Sequence, residues 1–173
     1  MSRTFQLPWP GHPTCTPLPL PLLLLPRPPS PKMPLYLSAS ELVAGVERGG
    51  EEVGLYGGVS PSDCPSEAEV ASIARVVGES RKVKRLALDS NRITDAGAAE
   101  LAEAVAKSTS LTELFLNNNE ITDVGAAKLA EAAAKSTSLT ALDLHGNQIT
   151  DTGAAKLAEA VAKSTSLTTL DLE

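Results

Sequence analysis

From Val83 onward the sequence repeats itself in units of equal length. The units are VKRLALDSNRITDAGAAELAEAVAKSTS (83–110), LTELFLNNNEITDVGAAKLAEAAAKSTS (111–138) and LTALDLHGNQITDTGAAKLAEAVAKSTS (139–166), and a fourth opens as LTTLDLE (167–173). The second and third agree at 21 of 28 positions, which rules out coincidence. Periods of this length belong to stacked architectures, in which each unit buries its apolar face only against its neighbours.

Each unit has two halves with different hydrophobic periods. The first reads L-x-x-L-x-L-x-x-N-x-I, and Leu114 and Leu116 alternate as a short strand does. The second reads T-D-x-G-A-A-x-L-A-E-A-V/A-A-K, and Ala154, Leu157 and Val161 fall on one helical face. Thr150 or Asp151 is suited to cap that helix, and Lys163 stands where positive charge is favoured. Glu103→Lys107, Glu131→Lys135 and Glu159→Lys163 are i,i+4 pairs, each contributing about 0.2–0.5 kcal/mol. Asn91, Asn119 and Asn147 are expected to serve the backbone at the strand-to-loop bend. Gly97, Gly125 and Gly153 are expected to permit tight packing.

The matching positions Leu111, Leu114, Leu116, Asn119, Ile121, Gly125, Leu129 and Ala133, with their equivalents one unit to either side, carry a resemblance. The units resemble leucine-rich repeats of the ribonuclease-inhibitor type, shared by NOD-like receptor sensor regions and Ran GTPase-activating proteins. The resemblance implies an α/β leucine-rich repeat solenoid, a horseshoe segment with a parallel β-sheet on the concave face and α-helices on the convex face. It covers residues 83–173. It says less about function, because this fold hosts receptors, inhibitors and GTPase regulators alike.

Composition divides the rest of the chain. Eleven of the 13 prolines fall in residues 1–34, so residues 1–37 read as a Pro/Leu-rich disordered tail. Its apolar run, Leu22–Leu25, is shorter than the roughly 7–15 residues of a secretory signal, and Met33 is an alternative start. Residues 38–82 read as an N-terminal helix and a degenerate capping repeat. Ser38 and Glu41 have capping-box spacing, and Gly49-Gly50 stops that helix. Val53 and Leu55 suit the cap's strand, residues 57–65 its loop, and Val70, Ile73, Ala74 and Val77 its helix. The fourth unit breaks off inside its strand. That suggests an incomplete product, with an end-to-end dimer through the open strand edge as the other reading.

Six positions take a different residue in every full unit. Three sets alternate with the buried leucines: Arg85/Glu113/Ala141, Ala87/Phe115/Asp143 and Asp89/Asn117/His145. Strand geometry points them to the open, concave face, with Ser90, Asn118 and Gly146 at its rim. Thr169 and Asp171 continue the face into the fourth unit. The remaining varied sets are Arg92/Glu120/Gln148 and Ala96/Val124/Thr152. Drift would also have altered the exposed helix face, yet the Glu and Lys pairs and the Ser-Thr-Ser turns are unchanged. Diversity therefore marks a recognition surface, with Phe115 as its apolar anchor and Arg85, Glu113 and Asp143 as its polar contacts.

The expected function is accordingly a non-enzymatic, protein-binding module, monomeric or weakly dimeric end to end, in the cytoplasm. The alternatives are a Ran-type GTPase-activating regulator or a remnant of a longer repeat protein. A net charge of −6 and 3% aromatic content argue against nucleic-acid binding. No run approaches the ~20 apolar residues of a membrane span. Cys15 and Cys64 make neither a disulfide framework nor a metal-ligand spacing. Asp143, His145, Asp171 and Glu173 share one neighbourhood, but no metal or cofactor is expected there. The nearest open-face serine, Ser90, is two strands from His145, about 10 Å away, too far for nucleophilic catalysis.

Overall fold

Each clear repeat becomes a three-residue strand, a bend and a 13-residue helix. The computed structural model describes residues 35–36, 38–55 and 64–172. Outside them lie residues 1–34 of the Pro/Leu-rich segment, residue 37, residues 56–63, which include most of the predicted 57–65 loop, and Glu173. The elements run β1 (Leu35–Tyr36), α1 (Ala39–Glu47), β2 (Glu52–Leu55), α2 (Glu67–Glu79), β3 (Arg85–Ala87), α3 (Asp95–Lys107), β4 (Glu113–Phe115), α4 (Asp123–Lys135), β5 (Ala141–Asp143), α5 (Asp151–Lys163) and β6 (Thr169–Asp171). The strands form one parallel sheet in sequence order. Parallel neighbours need a crossover, which the helices supply. Register advances one repeat per strand, so Leu86, Leu114, Leu142 and Leu170 lie side by side. Packed helices need about 8–10 Å between axes and strands only about 4.8 Å. The stack therefore curves with its sheet on the concave side.

The core fills the space between the two layers. Leu111, Leu114, Leu116, Ile121 and Leu129 are each at most 1% exposed. The N-terminal part follows the same plan: α2 buries Val70, Ile73, Ala74 and Val77. Ser38 caps α1, its hydroxyl accepting from the Glu41 N–H at 3.2 Å. Folded chain starts before residue 38, however. Within the stretch read as tail, β1 pairs with β2 through Leu35↔Gly54 and Tyr36↔Leu55. Two residues beside a Pro/Leu-rich run carry no periodicity to read, and a parallel ladder asks only for backbone groups.

Three polar devices couple each repeat to the next. The Asn119 Oδ1 accepts from the N–H groups of Asn91 and Ile93, both at 3.0 Å. Its Nδ2 donates to the carbonyls of Leu88 (2.9 Å) and Leu116 (2.8 Å). One buried amide thus serves backbone that bends out of the sheet in two adjacent repeats, and Asn147 repeats the pattern on Ile121, Leu116 and Leu144. The Asp95 carboxylate accepts from the N–H groups of Thr122 (2.8 Å) and Gly125 (2.9 Å) and from the Thr122 hydroxyl (2.6 Å). Asp123 grips Thr150 and Gly153 in the same way. The helix caps are therefore Thr94, Thr122 and Thr150, while Asp95 and Asp123 each reach forward to hold the following helix. Ser108 and Ser136 are 5% and 4% exposed and accept from the N–H groups of Leu111 and Leu139.

The glycine of the T-D-x-G segment is fixed by this grip. A Cβ on Gly125 would lie 2.6 Å from the Asp95 Oδ1 and 2.8 Å from the Ile121 Cγ2. Burial raises the pKa of Asp95, but the Thr122 hydroxyl and the N–H groups of Thr122 and Gly125 hold it below the ordinary value overall. The Thr150 hydroxyl, then its N–H, hold Asp123 below as well. Carboxylates with depressed values stabilise the fold above the ordinary carboxylate range, and that contribution fades as pH falls through the depressed value.

Two outcomes follow for stability. Asn119→Ala strands two buried N–H groups and should cost about 2–4 kcal/mol in urea unfolding, with amide exchange accelerated at Asn91 and Ile93. Asp95→Asn should lower stability at neutral pH and shrink the loss on acidification, compared by thermal melts at matched pH values.

Candidate functional site

The buried leucines fix which way the intervening side chains point. With Leu86, Leu114 and Leu142 facing the helices, the residues between them stand on the open face. Register then assembles two rows across the sheet: Arg85, Glu113, Ala141 and Thr169 in one, and Ala87, Phe115, Asp143 and Asp171 in the other. Asp89, Asn117 and His145 follow just beyond the strand ends. The strands bring these side chains together from equivalent positions in successive repeats.

The rows interact. The Arg85 Nε donates to the Glu113 Oε2 at 2.6 Å, and the guanidinium carbon lies 5.6 Å from the centre of the Phe115 ring. Arg85 thus bridges a carboxylate and an aromatic face, a cation–π arrangement. The Asp143 Oδ1 accepts from the His145 N–H at 3.0 Å, which orients the carboxylate beside Phe115. Asp89 is partly buried, and its Oδ1 has no hydrogen-bond partner among the described residues. Burial pushes its pKa up to about 6, the Asp143 charge adds to the rise, and the Asn117 N–H opposes it.

Three sequence-derived assignments change. Ala87 is only 2% exposed, so it offers no contact surface. Its single methyl, in register with the Phe115 ring, stays below its taller neighbours. Ser90 and Asn118 are exposed at the rim, but their φ values of 59° and 55° are left-handed, as is 67° at Gly146. Ser, Asn and Gly at this column follow from a backbone that disfavours most side chains. The unchanged Ser-Thr-Ser turns are no measure of drift either, because Ser108 and Ser136 are buried structural acceptors. The Glu–Lys pairs remain a fair control. Glu103–Lys107 and Glu159–Lys163 span 2.9 and 2.6 Å with all four side chains more than 60% exposed.

Glu52 was missed by sequence reasoning. It is the register partner of Arg85 on the opposite side from Glu113, and its Oε2 is buried without a partner among the described residues. The signal was present: Glu52 precedes Arg85 by one repeat plus the five residues added in the intervening loop. Among the described residues of this face, Glu52, Asp89, Glu113, Asp143 and Asp171 stand against Arg85 alone. The face is acidic. No group of three or more His, Cys, Asp or Glu side chains among the described residues is arranged to hold a metal ion. No helix among them is long and apolar enough to cross a membrane.

The raised value at Asp89 has a defined sign. Folding favours its protonated form, so stability is full below the ordinary carboxylate value and declines as pH rises through about 6. Asp89→Asn should therefore raise the unfolding temperature near neutral pH, and the gain should vanish by about pH 4. A gain of equal size at both pH values would show that charge is not its cause.

A sequence profile for the family described as Leucine Rich repeat matches residues 79–102, 107–130 and 135–158. Among solved structures, leiomodin-1 actin-binding site 2 is 25% identical, covering 77% of this chain and 78% of that one, with a TM-score of 0.66. The Caenorhabditis elegans tropomodulin C-terminal domain is 16% identical, covers 78% of this chain and 82% of its own, and has a TM-score of 0.65. The search of curated proteins returned no match. The profile matches and the stack of strand–helix units together show that this chain carries leucine-rich repeats and folds as an α/β leucine-rich repeat solenoid.

Proposed function

We propose that this chain is a non-enzymatic interaction module of the ribonuclease-inhibitor type, which receives a basic segment of a protein partner on the concave sheet face. The observation that carries the reading is a coincidence: the face on which the repeats differ is also the face with unbalanced charge and a half-exposed aromatic. A lysine or arginine placed between Asp89 and Asp143 would relieve their mutual repulsion. Phe115 offers apolar area at the same point, and such aromatic anchors tend to dominate interface energies. A 13-residue helix in each clear repeat supports the ribonuclease-inhibitor type. Sparse cysteines support a cytoplasmic setting.

The leiomodin-1 domain of similar fold is named for actin binding, which makes actin the first partner to assay. In co-sedimentation and in pull-down of candidate partners, Phe115→Ala and Asp143→Ala should each weaken capture by about tenfold or more, corresponding to at least roughly 1.4 kcal/mol. Glu103→Ala on the helix face should leave it unchanged. Binding should also weaken with added salt, because opposite charges on exposed surfaces are screened. Equal recovery by the parent and both face variants would remove the site. Acceleration of GTP hydrolysis by a Ran-like GTPase would replace this reading with that of a GTPase regulator.

A further inference from the structure

The acidic concave face has a basic counterpart in the same chain. Residues 1–40 contain Arg3, Arg27 and Lys32 and no acidic side chain, so all 21 acidic residues lie beyond them. The stretch PRPPSPKMP (26–34), outside the described residues, holds two of those cations and five prolines and leads directly into β1. On the face, Arg85 is committed to Glu113. Neither Glu52 nor Asp143 joins an ion pair among the described residues, and half-buried Phe115 stands between them. The spacing matches as well. Leu35 is in register with Gly54, two residues after Glu52, so Lys32, three residues before Leu35, is within chain reach of Glu52. From β2, Phe115 is two strands away and Asp143 three, about 10 and 14 Å at ordinary strand spacing. From Lys32, Pro29 is three residues away and Arg27 five, about 9 and 16 Å of extended proline-rich chain. A cation, a proline and a cation therefore recur at the intervals of a carboxylate, an aromatic ring and a carboxylate.

We propose that residues 27–32 dock in cis across the concave face, with Lys32 at Glu52, Pro29 on the Phe115 ring and Arg27 at Asp143. The strand N–H and C=O groups are occupied in the ladder, so the sheet face offers side chains and no backbone partners. A proline-rich segment suits such a surface, because proline has no N–H to satisfy and chain already held extended loses little freedom on binding. The short connection to β1 keeps the segment at an effective concentration on the order of millimolar, so even a weak contact is populated. The proposal rests on the reading of the concave face as a surface for basic segments. It adds a regulatory step to that reading, since a partner must displace residues 27–32 before it binds.

The test compares the full chain with its Arg27→Glu/Lys32→Glu double variant, which alters none of the described residues. In heteronuclear NMR the amides of Phe115 and Asp143 should shift between the two proteins, and that of Glu103 on the helix face should not. A zero-length carbodiimide cross-link between Lys32 and Glu52, mapped by mass spectrometry, should form in the parent with a yield independent of protein concentration. An acetylated and amidated peptide of residues 26–34, added in trans, should bind the double variant about tenfold more tightly than the parent, whose own segment competes. Unchanged Phe115 and Asp143 amides, or equal peptide affinity for both proteins, would overturn docking in cis. The face itself is decided separately, by partner capture with Phe115→Ala and Asp143→Ala. A cross-link whose yield grows with protein concentration would assign the segment to a second copy and overturn the proposal.

Discussion

Everything in this protein depends on how it satisfies the backbone where each strand leaves the sheet. Strands of three residues end almost as soon as they begin, and the chain then turns sharply toward a helix. Peptide groups at that bend are buried and have no sheet partner. The asparagine of each repeat resolves this by bonding backbone in its own unit and in the one before. The aspartate at each helix start works in the other direction, holding the hydroxyl and N–H groups of the next unit. Since an unpaired buried N–H costs about as much as a lost hydrogen bond or more, these contacts couple neighbours alongside the packed leucines. They also set a strict spacing. One repeat cannot shift against the next without breaking all of them.

That rigidity gives the concave face its character. Side chains from equivalent positions of successive repeats are brought into rows at strand spacing, and only a parallel in-register stack does this. Charges that look scattered in the sequence become neighbours: Asp89 feels Asp143 from two strands away, and Arg85 stands between Glu52 and Glu113. The curvature that gathers them comes from the different widths of helices and strands. The face is thus preorganised, with its polar groups held at fixed separations before any partner arrives. Asp89, held partly buried with Asp143 nearby, costs stability when it is charged.

How much of this was legible in the sequence depended on whether a signal was local or repeated. The strand leucines, the helix face and the role of the asparagines followed from period and residue type, and Leu114, Leu129 and Asn119 sit where those rules put them. The open-face rows also followed, because alternation about buried leucines leaves one direction for the rest. Glu52 was missed because its repeat lacks the clear motif. The aspartate grip was missed because a Thr-Asp pair before a helix reads as a cap, and nothing local says the carboxylate turns to the following unit. Ser90 and Asn118 varied for a backbone reason invisible without φ angles.

The amino-acid order alone determined that this chain stacks strand–helix units, which residues face the core, and which positions differ along the outer row. Hydrophobic period, glycine placement and the recurring asparagine encode those features within single units. Tertiary structure alone decided the depth of Ala87, the raised proton affinity of Asp89 and the stacking of Arg85 on Phe115. Each of these depends on the distance between groups in different repeats, and such distances exist only after the units have docked.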